Sequence, residues 1–185
     1  EDMTPMMRQY FKLKSKCLDA ILFFRMGDFF EVFGQDAEEI APKINIVLTS
    51  RERGDKQRIH FCGVPHHSAH SYWLRLLRMN YKIAIADQME DPSLQKGLVR
   101  REIVKIISPG CIDELEGLDA DTPNYILAAY EHPKSRLWAV ALADISTGEF
   151  RMDQLKTINE VEKILTNYRT KEILIRKFCY PLFAK

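Results

Sequence analysis

The sequence lacks the features that several classes of protein require. Its four cysteines form no C-x-x-C pair, so neither a zinc site nor a disulfide framework is predicted. The purely apolar runs are only a few residues long, far short of the ~20 that span a bilayer, and no signal-peptide pattern opens the chain. No G-x-x-x-x-G-K-S/T motif occurs, so no P-loop nucleotide site is predicted. These absences predict a soluble, intracellular chain without a metal or nucleotide cofactor.

What is present is ordinary globular composition, with 46% hydrophobic and 29% charged residues in 185, enough for one large or two small domains. Residues 1–107 carry 17 Lys and Arg against 14 Asp and Glu, whereas residues 108–185 carry 10 against 12. The positive charge clusters in RERGDKQR (51–58) and KGLVRREIVK (96–105). Such clusters suit a polyanion, but they are also typical of a solvated surface.

A boundary is predicted where composition changes. The stretch SPGCIDELEGLDADTPN (108–124) contains two Pro, two Gly and five acidic residues with no Lys or Arg, and its apolar residues show no period. We therefore predict a domain over residues 1–107, a linker over 108–123 and the first part of a second domain over 124–185.

Helix and strand signals alternate in the first domain. Thr4 followed by Pro5 is typical of a helix N-terminus, and apolar residues with helical spacing follow. The run AILFFRM (20–26) predicts a strand buried on both faces. Further strands are predicted over 44–50, 59–64, 82–89 and 101–108, with a helix after Ser68. These elements predict a compact α/β (α+β) domain with a mixed sheet flanked by helices.

The segment after the first strand is rich in phenylalanine. Gly27 and Asp28 break the strand, and Asp28 is a plausible N-cap for a helix from Phe29 to about Ile40. On that helix an inward stripe is predicted, consisting of Phe30, Phe33, Ala37 and Ile40. Phe29 lies at the edge of the stripe, beside solvent. Glu31 lies about 200° away from Phe29, because positions i and i+2 of a helix do not share a face.

The second domain has a different pattern. NYILAAYE, SRLWAVALADIS and GEFRMD are joined by the turns HPKS and STG, which predicts three antiparallel strands. A helix with Ile158, Val161, Ile164 and Leu165 follows, and then a strand over 171–177. Three strands, a helix and a strand are the opening of a ribonuclease H-like layout, so a partial ribonuclease H-like domain is predicted.

Several blocks of the sequence carry a resemblance. RMGDFFEVFGQDA closely resembles the reader segment of the MutS DNA mismatch-repair family, whose Phe-x-Glu motif is matched by Phe29 and Glu31. In order and spacing, five further blocks resemble the first domain of that family: TPMMRQY, LTSR, CGVPHH, IADQMEDP and VRREIVKIISPG. ALADISTGEF resembles the start of the family's connector domain, so the resemblance covers nearly the whole chain.

The resemblance implies a domain that approaches DNA from the minor groove. Phe29 would stack on the mispaired or unpaired base, and Glu31 would hydrogen-bond to that base. The supporting positions that match the family are Met26, Asp28, Arg51, Phe61, Cys62, Gly63 and Arg101. Of these, Met26 and Asp28 flank the wedge, and Arg51 and Arg101 match basic positions that contact the DNA backbone. Each also has a plainer interpretation, since Met26 can be core and Asp28 an N-cap.

The resemblance also implies partners outside this chain. The full family protein is a homodimeric ATPase that uses ATP and Mg²⁺, binds double-stranded DNA with mismatches or small insertion/deletion loops, and is expected to work with MutL. It implies a cytoplasmic, nucleoid-associated bacterial location and no membrane partner. This chain itself is expected not to be an enzyme.

Two other functions remain open from the residues. Asp144 in LADISTG resembles the first-strand aspartate of ribonuclease H-like nucleases, which hold Mg²⁺ with several carboxylates. The near-neutral net charge also fits a protein-interaction module without DNA contact. The spacing of His66, His67 and His70 could bind a metal, but a surface cluster is favoured because no C-x-x-C pair or carboxylate lies close by in sequence.

Overall fold

The computed structural model describes residues 3–54, 57–90, 97–112 and 123–183. The chain divides into two compact units, Glu1–Ile107 and Ser108–Lys185. Most of the predicted linker, residues 113–122, lies outside the described residues, as do Lys56 and Lys96 of the two basic clusters. The predicted domain limits therefore stay a prediction.

The first unit contains three helices and six strands within the described residues. The helices are α1 (Pro5–Lys14), α2 (Gln35–Ile44) and α3 (Ala69–Arg78), and the strands are β1 (Ile21–Met26), β2 (Phe29–Phe33), β3 (Thr49–Gly54), β4 (Gln57–Pro65), β5 (Ile83–Gln88) and β6 (Arg101–Ile107). The strands form one sheet in the order β3-β4-β2-β1-β5-β6, in which β1 and β5 are parallel and the other neighbours antiparallel. The predicted mixed sheet flanked by helices is confirmed.

The helices cover the two faces of this sheet unequally. Helix α1 starts as predicted, with the Thr4 side chain accepting from the Met7 N–H, and packs Tyr10 against Phe24 and Phe33. Helix α3 lies on the other face, where Trp73 contacts Phe30. Because α1 covers only part of its face, the end of that face near the β1–β2 turn stays open.

The predicted helix from Phe29 to Ile40 is wrong. Gly27 has φ +58°, and Gly27 and Asp28 form a two-residue turn that pairs Met26 with Phe29 in an antiparallel hairpin. Helix α2 begins only at Gln35, after Gly34, so Asp28 is not its N-cap. The four residues of the predicted stripe are all buried, but Phe30 and Phe33 lie in a strand and face opposite sides of the sheet.

The predicted strand over 44–50 is also largely wrong. Ile44 is the last residue of α2, and Asn45 ends the helix in the left-handed conformation with φ 56°. Strand β3 begins at Thr49, which leaves Val47 exposed in a loop. The strands predicted over 59–64, 82–89 and 101–108 are confirmed, as is the helix after Ser68.

The second unit follows its predicted order of elements. It contains β7 (Tyr125–Glu131), β8 (Trp138–Asp144), β9 (Glu149–Leu155), α4 (Ile158–Asn167), β10 (Glu172–Ile175) and the short α5 (Tyr180–Phe183). The sheet order is β10-β7-β8-β9, with an antiparallel meander and β10 parallel to β7. A capping box between Thr157 and Glu160 starts α4, whose Val161 is buried in the core. This arrangement agrees with the predicted ribonuclease H-like opening.

Candidate functional site

Strand β2 places Phe29 and Glu31 on the same face of the first sheet. Successive side chains of a strand point to opposite faces, so positions i and i+2 lie side by side. Phe29 is 47% exposed, whereas Phe30 between them is 2% exposed and packs under α3. The 200° separation predicted from a helix is therefore wrong. One ligand that lies on this face can meet the ring and the carboxyl group together.

Gly63 on β4 leaves room between these two side chains. In the antiparallel register Glu31 lies opposite Gly63, and Phe29 lies opposite Pro65. A Cβ atom at position 63 would lie 3.8 Å from the Phe29 ring and 3.6 Å from Cγ of Glu31. Both side chains thus border the surface above Gly63. Because glycine has no side chain, this part of the sheet stays open to a ligand.

Arg51 reaches Glu31 from β3, two strands away. Its Nη2 donates to Oε1 of Glu31 at 2.9 Å, and its Cζ lies 4.0 Å from the centroid of the Phe61 ring. Phe61 lies on the same face as Gly63 and stacks on Phe33. The guanidinium therefore rests on an aromatic ring while it pairs with the carboxylate, an arrangement that favours arginine over lysine.

The Glu31 carboxyl group is only half satisfied. Its side chain is 12% exposed, and its Oε2 atom is buried with no hydrogen-bond partner among the described residues. Burial raises the pKa of Glu31, and the positive charges of Arg51 and Arg101 oppose this rise without cancelling it. A buried carboxyl oxygen without a partner is costly, so a ligand that bonds to Oε2 would relieve that cost.

Two predicted site residues lie next to this surface. Met26 pairs with Phe29 across the hairpin and packs partly buried against the core that includes Phe24. Asp28 is exposed in the turn, and its backbone carbonyl accepts from the N–H of His66 at 2.8 Å. The structure therefore brings Met26, Asp28, Phe29, Glu31 and the β4 residues Phe61 and Gly63 into one region, together with Arg51.

Cys62 and Arg101 are buried and do not line this open surface. Strand alternation points Cys62 to the opposite face, where its Sγ lies 4.0 Å from the Ala37 carbonyl of α2 and burial raises its pKa to about 12. Arg101 is buried, donates to the Val99 carbonyl at 2.8 Å and lies over the Phe24 ring. Its contacts are those of a residue that joins β6 to the core, although its charge acts on Glu31.

Asp144, the residue that suggested a nuclease, is used by a turn. One carboxylate oxygen accepts from the backbone N–H and hydroxyl of Ser146 at 2.9 and 2.6 Å, and the other accepts from the Asn124 N–H at 3.3 Å. Within the described residues, no group of three or more His, Cys, Asp or Glu side chains could hold a metal ion. Within the described residues, the contacts of Asp144 are therefore those of a turn residue.

The fold and the site define a protein with two α/β units, of which the first presents a ring and a paired carboxylate on an open sheet face. Comparison with models of known protein families identifies the family. A family model described as MutS domain I matches residues 4–116, and one described as MutS domain II matches residues 124–181. The chain belongs to the MutS family.

The chain is similar to curated proteins over most of its length. DNA mismatch repair protein MutS of Desulfitobacterium hafniense is 46% identical over 93% of this chain, and its namesake in Clostridium tetani is 43% identical over 95%. The protein of the same name in Staphylococcus haemolyticus is 44% identical over 89% of the chain. The chain spans about a fifth of the length of these relatives, since the matches cover 19%, 20% and 19% of them. Among the described residues, no helix has the length and apolar character needed to cross a membrane.

Proposed function

We propose that this chain is the mismatch-reading part of a DNA mismatch repair protein. Its first unit binds duplex DNA that contains a mispaired or unpaired base, with Phe29 stacked on that base and Glu31 hydrogen-bonded to it. The observation that carries the proposal is the half-exposed Phe29 ring beside the under-satisfied Glu31 carboxyl group on one sheet face. Membership of the MutS family and similarity to DNA mismatch repair proteins support it.

The physical basis of recognition is deformability. An apolar side chain inserted between base steps unstacks and kinks the duplex, which costs a few kcal/mol per step. Stacking of the base on the ring returns roughly 1–3 kcal/mol. The deformation costs less where pairing is already defective, so a ring such as Phe29 favours defects in any sequence context.

Glu31 adds selectivity rather than affinity. A carboxylate is repelled by the phosphates, and this field adds to the burial that already raises the pKa of Glu31. The protonated carboxyl group can donate a hydrogen bond to an acceptor atom on the accessible edge of the unstacked base. At a regular base pair the same group is poorly matched, which disfavours undamaged DNA.

The remaining predicted contacts are assigned by position. Met26 and Asp28 flank the ring, Phe61 and Gly63 border the minor groove, and Arg51 has a charge suited to the DNA backbone. Cys62 and Arg101 are both buried. Cys62 supports β4 from the opposite face of the sheet, and Arg101 holds β6 against Phe24 on the face that carries Glu31.

The chain itself binds DNA without catalysing a reaction. ATP and Mg²⁺ binding, dimerisation and a partnership with MutL belong to the proposal for the longer protein, since the chain spans only about a fifth of its relatives. A cytoplasmic, nucleoid-associated location follows from the same proposal.

The test is the affinity of the full-length protein for a duplex with one unpaired thymidine and for the matched duplex, at one fixed salt concentration. Phe29→Ala should weaken binding to the bulge by roughly 5- to 150-fold, the equivalent of about 1–3 kcal/mol of stacking, and leave the matched duplex within about twofold. Phe150→Ala is the control, because Phe150 is also exposed, at 63%, but lies in the second unit. An unchanged bulge preference in Phe29→Ala would overturn the proposal.

A further inference from the structure

The pair formed by Glu31 and Arg51 fixes which carboxyl oxygen can meet a ligand. Arg51 donates to Oε1 at 2.9 Å, and Oε2 has no partner among the described residues. A guanidinium is a donor only, so Oε1 acts as an acceptor, and the carbonyl oxygen of a neutral carboxyl group is the stronger acceptor, which favours the proton on Oε2. In either protonation state, Oε2 is the atom left for a further hydrogen bond.

We propose that Arg51 is a positioning residue that controls mismatch discrimination through Glu31, by holding Oε1 so that Oε2 is presented to the base beside Phe29. The inference rests on the proposed function and deepens it, because it gives Arg51 a role other than contact with a phosphate. The expected partner of Oε2 is a polar edge of a mispaired or unpaired base.

The surroundings of Arg51 support a fixed position. Its Cζ lies 4.0 Å from the centroid of the Phe61 ring and 5.5 Å from that of Phe33, so two aromatic rings restrict where the guanidinium can lie. Gly63 lies opposite Glu31 on the strand between the two partners, and it has no side chain that could separate them. Because Oε2 is buried in the free protein, contact with a base requires a turn of the carboxyl group, and the Arg51 contact at Oε1 is the pivot.

Charge gives a second reason for the pairing. A lone carboxylate on a surface that approaches phosphates would weaken binding to every duplex. While Glu31 is ionised, the Arg51 guanidinium cancels that charge locally, so the pair approaches the groove with no net charge. If Arg51 moved to a phosphate instead, Glu31 would lose its hydrogen-bond partner, and the carboxylate would face the phosphates without a counter-ion beside it.

The experiment compares Arg51→Met, Glu31→Ala and the double variant in the full-length protein. Each is measured with the bulged and the matched duplex over a range of salt concentrations. Arg51→Met should lower the ratio of the two affinities about tenfold or more, since a hydrogen bond to a charged group is lost. The double variant should show the same ratio of affinities as Glu31→Ala. If Arg51 acts only through Glu31, its removal has no further effect on discrimination once Glu31 is absent.

A phosphate contact predicts a different result, which would overturn the inference. Arg51→Met would then weaken both duplexes by the same factor, reduce the salt slope by about one and add its effect to that of Glu31→Ala. The matched control is Arg58→Met, because Arg58 lies on the opposite face of β4 and bonds to Ser50 at 3.0 Å. Arg58→Met should leave the ratio unchanged.

A pH profile separates positioning from a merely structural role. Arg51 and Arg101 are the charged groups that lower the pKa of Glu31 against the larger effect of burial. Removal of Arg51 should therefore move the midpoint of the pH dependence of the affinity ratio to higher pH, whereas a variant that only loosened the fold would hydrate Glu31 and move the midpoint to lower pH. Arg51→Lys keeps the charge but not the planar guanidinium group. It should restore the midpoint of the pH dependence more fully than the ratio of the affinities for bulged and matched duplex.

The two proposals fail differently. If wild-type protein shows no bulge preference, or Phe29→Ala keeps it, the proposed function is wrong. If Phe29→Ala loses the preference but Arg51→Met weakens both duplexes equally, only the role of Arg51 is wrong. Thermal unfolding of each variant identifies any change that acts through loss of fold.

Discussion

Glu31 and Asp144 are carboxyl groups with little exposure, one in each unit, and they differ in how they are satisfied. Both oxygens of Asp144 accept hydrogen bonds, from Ser146 and Asn124, and the residue is 1% exposed. One oxygen of Glu31 is paired with Arg51, and the other is buried without a partner among the described residues. Limited exposure alone therefore says little about function.

The pKa values of the two groups shift in opposite directions, although both groups are subject to the same effect of burial. Burial raises the pKa of both, but at Asp144 the hydrogen bonds from Ser146, Asn124 and Thr147 outweigh it and lower the pKa. At Glu31 the single partner does not outweigh burial, and the pKa is raised. A carboxylate whose oxygens both accept hydrogen bonds stabilises the fold around it. A carboxyl group with an oxygen left unpaired can still form a hydrogen bond to a ligand.

The largest expected effect is on the stability of the second unit. Asp144→Ala should lower its free energy of unfolding by roughly 2–6 kcal/mol, because the Ser146 and Asn124 N–H groups lose their partner at about 1–3 kcal/mol each. The measurement is urea unfolding followed by Trp138 fluorescence in a Trp73→Phe background, since the chain has two tryptophans. Asp153→Ala, on an exposed part of β9, should change stability by less than about 0.5 kcal/mol. Equal effects of the two changes would contradict the structural role of Asp144.

The next effect concerns DNA binding and tests whether Glu31 acts as a hydrogen-bond donor. Glu31→Ala should reduce the preference of the full-length protein for a bulged duplex by roughly 10- to 100-fold, through loss of a charge-assisted hydrogen bond. Glu31→Gln should reduce it less, because its amide oxygen can accept from Arg51 while its amide nitrogen donates to the base. If Glu31→Gln loses discrimination as completely as Glu31→Ala, Glu31 is not a donor.

The smallest effect is a difference in pH dependence between the units. With a raised pKa, Glu31 holds its proton more tightly in the folded than in the unfolded chain, so the stability of the first unit falls as pH rises from 4.5 through its folded pKa. Asp144 has a lowered pKa, so its contribution is present above 3.8 and is lost as pH falls below that value. Glu31→Gln should remove the pH dependence that Glu31 gives to the first unit and leave that of Asp144 unchanged. The measurement is the free energy of unfolding of each unit at several pH values.

The control for the pH series is Glu52→Gln, because Glu52 is exposed on β3 in the same unit. It should leave the pH profile of the first unit unchanged. A profile that flattens equally with Glu52→Gln would mean that general surface charge, and not the buried carboxyl group, causes the slope.

The sequence predicted most elements, but it misplaced the segment that matters most. Alternating and continuous apolar runs identified the strands β1 and β4 to β10, and helical spacing identified the helices α1, α3 and α4. The segment from Phe29 to Ile40 also fits a helix, since its apolar residues Phe30, Phe33, Ala37 and Ile40 have helical spacing. Gly27 and Asp28 are a hairpin signal, and that signal decides the structure here.

The composition of the site was predicted better than its geometry. The motif blocks identified Phe29, Glu31 and the residues around Gly63, but not the pairing of Arg51 with Glu31. Those two residues are 20 positions apart and meet only because β4 lies between β2 and β3. Strand order is a property of the whole sheet, so no local pattern at Arg51 could reveal its partner. The burial of Arg101 has the same origin in tertiary packing.

The hairpin has a consequence for any change in chain length. Side chains on a strand alternate in parity, so an odd number of inserted or deleted residues between the ring and the acid would send one of them under α3. Two further residues would preserve parity but separate them by another ~6.8 Å along the strand. A single intervening residue is therefore the one spacing in this hairpin that keeps ring and acid as immediate neighbours on the open face.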